Sequence, residues 1–241
     1  VPDHVLPLDP DDVDRLIAVT SAGGIVLFPA EGVYGLAVDP RRPDAVRRLA
    51  ELKGRDPEKP VAVLFWSVDD VLADGTPGPA IPRPATASEA PRSATASGTP
   101  RPVDPADRIG RAVRALLPGP VGLVLPDPAA RFPAAAGTDP TSLGVRAPRL
   151  AGEAPPGRDP IAQTSANRAG EPDPVTVDAV PRAIRAACDL VLDRGPRPGT
   201  PSTIVDLRAW AAGDGRWRVL REGAVPGVEI DRRLGALRRD G

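Results

Sequence analysis

The chain has 241 residues, a formal net charge of −1, 41% hydrophobic residues and 3% aromatic residues. That length holds one large domain or two small ones, the core must be built mostly of Val, Leu, Ile and Ala, and the charge balance gives no global pull toward nucleic acid or an anionic membrane. One cysteine, Cys188, and one histidine, His4, exclude a disulfide framework, a Ser-His-Asp triad, a Cys-His dyad and a histidine-ligated zinc site.

Reading onward, Asp11 to Ala22 is expected to be helical, with Asp11, Asp12 and Asp14 crowding its start and Val13, Leu16 and Ile17 at helical spacing. Ile25 to Phe28 is a short, fully apolar run and reads as a buried strand. A turn over Pro29 to Gly32 leads into Val33 to Val38, read as strand or loop. Pro43 to Lys53 has the pattern of a second helix, and Pro60 to Trp66 that of a second buried strand. A short helix follows, capped by Ser67. From 74 to 104 the composition collapses to Pro, Ala, Ser, Thr and Gly, with Ile81 the one large aliphatic between Gly75 and Pro102. Such a stretch buries too little apolar area to offset its ordering entropy, so it reads as a disordered insertion within one domain. The folded pattern resumes with a helix over Pro105 to Leu117 and strands over Val121 to Leu125, Ser142 to Ala147 and Ile161 to Thr164. Val175 to Cys188 is expected to be helical, opened by Thr176 and Asp178. Leu190 to Asp193, Ser202 to Asp206 and Trp217 to Arg221 complete the strands. The interleaving predicts a single α/β domain over 9–225, with a twisted mixed sheet, flanking helices and a basic concave cleft, followed by an Arg-rich tail over 226–241.

The chain holds two lysines, and both lie in the loop Lys53-Gly-Arg55-Asp-Pro-Glu-Lys59. Arginine reads planar anions with two prongs, whereas lysine is a mobile point charge; together they can surround a phosphate or a carboxylate. With no G-x-x-x-x-G-K-[ST] loop and no G-x-G-x-x-G, an enzyme built from this chain works with cations, hydroxyls and backbone amides. No apolar run reaches the length of a membrane span and the start carries no signal-peptide pattern, so a cytoplasmic protein is expected.

Several segments are informative as an ordered set: Phe28-Pro-Ala-Glu-Gly-Val-Tyr-Gly-Leu36, Lys53-Gly-Arg55 with Lys59-Pro60, Pro118 to Val124, Leu143-Gly-Val-Arg-Ala-Pro148, Thr164-Ser-Ala-Asn167, Pro201 to Asp206 and Leu220-Arg-Glu-Gly223. Their order and spacing resemble the YrdC/YciO family, whose best-characterised members are threonylcarbamoyl-AMP synthases. The resemblance implies that L-threonine, bicarbonate and ATP give threonylcarbamoyl-AMP and pyrophosphate. Mg2+ would be carried on ATP, no metal site of the protein's own is identified, and a tRNA threonylcarbamoyl transferase complex would pass the group to tRNA. It implies a catalytic role for Lys53 and Arg55. Arg55, Lys59, Ser142, Ser165, Asn167 and Arg221 would bind the nucleotide, and Gly32, Tyr34, Arg146 and Ser202 the amino acid.

Departures from the family pattern fall mostly on the amino-acid side. Ala30 and Gly32 stand where threonines are usual, Leu64 where many members have histidine, and Asp173 where a serine is usual on the nucleotide side. The expected amino-acid pocket is therefore looser and less polar. Two other readings stay open at this point: a paralogue adenylating a different carbamate or carbamoyl substrate, and a non-catalytic double-stranded-RNA-binding module of the same fold, whose phosphate-driven affinity would collapse with salt.

Overall fold

The computed structural model describes residues 4–74, 105–151 and 157–239. Nine strands among them hydrogen-bond into one mixed sheet: β1 (Val26–Pro29), β2 (Tyr34–Val38), β3 (Ala62–Leu64), β4 (Val121–Pro126), β5 (Ser142–Arg146), β6 (Ile161–Ser165), β7 (Leu190–Val191), β8 (Thr203–Asp206) and β9 (Arg218–Arg221). Their order across the sheet is β7-β1-β2-β6-β3-β5-β4-β8-β9. The β1–β2, β2–β6, β3–β6, β4–β5 and β8–β9 pairs are antiparallel, and the β1–β7, β3–β5 and β4–β8 pairs are parallel.

Among the described residues eight helices accompany the sheet: α1 (Pro10–Ser21), α2 (Pro43–Lys53), α3 (Val68–Asp74), α4 (Pro105–Leu116), α5 (Pro133–Ala136), α6 (Arg182–Ala186), α7 (Arg208–Ala211) and α8 (Gly227–Arg239). Helix α1 starts cleanly because the Asp9 side chain accepts from the Asp12 amide at 2.8 Å and Pro10 opens the first turn. Helix α2 ends at Gly54, whose φ of 61° is the left-handed cap that glycine adopts without penalty.

Because side chains alternate across a strand, each strand sends one set of residues to each face. On one face Val121, Leu123, Leu125, Leu143, Val145 and Val205 pack on Ile109 and Val113 of α4, Trp210 of α7 and Ile230 and Leu234 of α8. On the same side Leu27, Leu36 and Ala162 pack on Val46 and Leu49 of α2 and Ile184 of α6. The other face is covered over β1, β2 and parts of β3 and β6, where Val26, Phe28, Ala37, Leu64 and Ile161 join Val13 and Leu16 of α1. Over the rest of β3 and over β4, β5 and β8 no helix among the described residues covers it, and there the sheet is hollow.

Two expectations change, and a third falls outside the described residues. The Val175–Cys188 helix shrinks to α6, because upstream backbone groups pair sideways: Pro174 O accepts from Tyr34 N and Val175 O from Arg197 N, both at 2.8 Å. The Arg-rich tail is largely α8, whose Ile230 and Leu234 are fully buried. The insertion at 74–104 lies outside the described residues except for Asp74, the last residue of α3. Among the described residues no helix is long and apolar enough to cross a membrane.

Candidate active site

The uncovered part of the sheet forms a cavity of about 350 Å3. Its floor is made of small residues, Gly35, Ala62, Gly122 and Gly144, and its wall carries Arg55, Arg146, Arg221 and Asp173. Strand alternation explains the lining. Ser142, Gly144 and Arg146 of β5 face the cavity, while Leu143 and Val145 between them enter the helix-covered core. A Cβ at Gly122 would stand 2.8 Å from Ile204 Cδ1 and 3.6 Å from Arg146 Cγ, so this glycine leaves room for the arginine stem to lie across β4.

At one end, Arg146 is locked. Its Nη2 donates to Glu31 Oε2 at 2.5 Å and to Ser202 Oγ at 2.6 Å. Glu31 Oε1 accepts from the Arg149 amide at 3.2 Å. The ion pair is almost dry, with the arginine side chain 8% exposed and the glutamate 1%. Burial raises the Glu31 pKa, opposed chiefly by the charge of Arg146. The Arg146 Nε is buried without a partner. Gly32 sits beside this end with its carbonyl accepting from Gly199 N at 2.8 Å. A Cβ there would collide with the Thr200 carbonyl, so the main chain at Thr200 fills the space that a side chain at 32 would need. This corrects the expectation of a looser pocket at Gly32. Leu64 is packed away in the cluster under α1.

The other cations of the wall are held by backbone. Arg55 Nη2 donates to Pro60 O at 2.7 Å, and Arg221 donates to Ser202 O from Nε at 3.2 Å and Nη2 at 2.8 Å. Burial lowers both pKa values, yet a guanidinium stays charged. Ser142 and Ser165 lie in the wall. The Ser165 hydroxyl donates to Asn167 Oδ1 at 2.6 Å, closing the S-x-N turn. Asp173 attracts both Arg221 and Lys53, so its charge is balanced from two sides.

Four expected residues are not brought into the wall: Lys53, Lys59, Tyr34 and Asn167. Lys53 approaches from behind: its Nζ donates to the carbonyls of Ser165 and Asn167 and to Asn167 Oδ1. Gly54 lets the chain diverge, so Lys53 turns into the protein and Arg55 toward the cavity. Burial, then the charge of Arg55, draws the Lys53 pKa down to about 8, against the opposing pull of Asp173. Lys59 is exposed on the turn after α2. Tyr34 belongs to the opposite face of β2; its hydroxyl donates to Asp193 Oδ1 at 2.7 Å and Gly195 O at 2.9 Å. Asn167 is buried and acts through the turn it closes. Sequence reasoning missed Glu31, although it is the sole charge between Gly23 and Val38.

The family model Sua5/YciO/YrdC, described as "Telomere recombination", matches residues 18–223. The chain is 35% identical over 185 residues to the threonylcarbamoyl-AMP synthase of Xanthomonas euvesicatoria, covering 76% of this chain and 85% of that one. Among solved structures it is similar to P. abyssi Sua5 complexed with L-threonine, with a TM-score of 0.67, 23% identity and 95% of this chain aligned, and it spans 59% of that protein. It is also similar to MTH1692 from Methanobacterium thermoautotrophicum, with a TM-score of 0.54, 31% identity, 91% of this chain and 90% of that one. With its mixed sheet, its hollow face and a match over residues 18–223, the chain belongs to the Sua5/YciO/YrdC family.

Proposed function

We propose that the chain is an L-threonylcarbamoyladenylate synthase, an adenylyl-transferring enzyme that converts L-threonine, bicarbonate and ATP to threonylcarbamoyl-AMP and pyrophosphate. The observation that carries this reading is one cavity lined by a buried, carboxylate-braced Arg146 and by two carbonyl-held arginines, Arg55 and Arg221. An amino acid and a triphosphate need those two environments side by side.

Arg146 holds the threonine carboxylate, with Ser202 beside it. The threonine amine forms a new N–C bond to the carbon of bicarbonate-derived CO2 and loses a proton, giving a carbamate. A carbamate oxygen then bonds to the α-phosphorus of ATP, the bond from that phosphorus to the β-bridging oxygen breaks, and pyrophosphate leaves with the electron pair. No protein nucleophile is required. Arg55 and Arg221 counter the charge that builds on the phosphates, where a preorganised donor in a cavity is worth more than in water. Lys59 joins them from its exposed turn, and Ser142 and Ser165 hydrogen-bond the nucleotide. Lys53 and Asn167 hold the Ser165 turn in place.

ATP enters as its Mg2+ complex. The ion is carried by the phosphates and needs few protein ligands. The mixed anhydride product is labile and is handed to a transferase acting on the adenosine beside the tRNA anticodon.

Pyrophosphate release is measured with ATP, bicarbonate and a panel of amino acids. Release that needs both threonine and bicarbonate is expected; release with no member of the panel overturns the reading. Ala30 and Val33 give the amino-acid end apolar walls, and apolar walls discriminate weakly against isosteres. Valine and serine are therefore expected within about 100-fold of threonine.

A further inference from the structure

Glu31 lies outside the cavity wall, is 1% exposed, and is absent from the set of residues expected to act on substrate. Its surroundings give it a function nonetheless. A guanidinium has five N–H donors in a fixed plane, so fixing one nitrogen fixes the direction of the others. Here Nη2 of Arg146 is fixed by Glu31 and Ser202, and Nε is buried. Arg146 nevertheless lines the cavity. Nη1 is therefore the nitrogen left to meet a ligand.

The bracing is rigid at both ends. Glu31 is held through Oε1 by the Arg149 amide. The turn that carries it is pinned by Arg197, whose Nε donates to Ala30 O at 2.9 Å and whose Nη2 donates to Glu31 O at 3.1 Å. On the other side the Arg146 stem lies over Gly122. A long, flexible side chain is thus immobilised before any ligand arrives, which removes an ordering cost from binding.

We infer that Glu31 is the positioning residue of the amino-acid end: it aims Nη1 of Arg146 into the cavity and sets the affinity for an amino-acid carboxylate while leaving the nucleotide end untouched. This rests on the proposed function. Glutamine is nearly the shape of glutamate and keeps an acceptor, but it lacks the charge that orients the guanidinium.

The test uses calorimetric titration of wild type, Glu31→Gln and Glu31→Asp with L-threonine and, separately, with MgATP. The expected result is a rise of tenfold or more in the threonine Kd for Glu31→Gln, a smaller rise for Glu31→Asp, and an MgATP Kd within twofold of wild type. Retained MgATP binding reports that the variant is folded, so loss of threonine affinity alone separates aiming from general collapse. Unchanged threonine affinity in Glu31→Gln, or equal weakening of threonine and MgATP, overturns the inference. Pyrophosphate release by the wild type judges the proposed function independently, because threonine binding is read without turnover.

Discussion

Two kinds of arginine line the cavity, and they solve the same problem, presenting a cation to an anion, in opposite ways. Arg146 is dry, paired with a buried carboxylate and immobile. Arg55, partly buried, and Arg221, exposed, rest on the carbonyls of Pro60 and Ser202. Carbonyl partners leave the full positive charge available to a ligand, whereas a carboxylate partner cancels most of it. The contrast fits the two ligands of the proposed reaction, since uncompensated charge suits a polyanion while aim and shape suit a small zwitterion.

The largest expected effect comes from breaking the compensated end. Arg146→Ala strands Glu31 as a buried, unpaired acid, and loss of one partner of a buried pair costs about 3–5 kcal/mol. Denaturant unfolding should show that loss, together with the disappearance of threonine-dependent pyrophosphate release. An unchanged unfolding midpoint would mean that Glu31 is free to reach water. At the other end, Arg55→Ala should weaken ATP binding by about 1.5–3 kcal/mol with little change in stability, since it removes no buried counter-charge; equal ATP affinity in titration would remove Arg55 from the nucleotide site. Gly32→Ala forces a Cβ against the Thr200 carbonyl and should destabilise the fold by about 1–3 kcal/mol, as overpacking does, measurable by thermal unfolding.

Lys53 sharpens the comparison through pH. Its pKa is drawn down to about 8 in the folded protein from 10.5. Between these values the unfolded chain binds more protons, so the Lys53 contribution to stability rises with pH across that window and is flat below it. Relative to Lys53→Met, the wild type should therefore gain stability from pH 8 upward; a flat difference would show that Lys53 titrates normally. The smallest effect belongs to Asp173→Ser. Removing a carboxylate beside Arg221 should strengthen ATP binding by less than about 1 kcal/mol, and more at low salt than at high salt.

Much of this was legible in the residues. Fully apolar runs such as Val26 to Phe28 and alternating ones such as Ser142 to Arg146 mark strands on their own. The ordered motifs brought Arg55, Ser142, Arg146, Ser165, Ser202 and Arg221 to one place. Sequence could not say on which face of β2 Tyr34 falls, because register is set by partner strands far along the chain. Nor could it separate Lys53 from Arg55: both are cations two residues apart, and the turn at Gly54 sends them to different sides. Helix α8 hides its Ile230, Leu234 and Leu237 spacing among arginines, and in an exposed tail that pattern has no visible partner until α4 supplies one.

The close approach of Gly32 to Thr200 has a consequence for how this chain can change over generations. A side chain introduced at 32 requires the main chain of the 199–201 segment to shift. The residue at 32 and the path of the 199–201 segment are therefore coupled: a larger side chain at 32 is accommodated only together with a shift of that main chain.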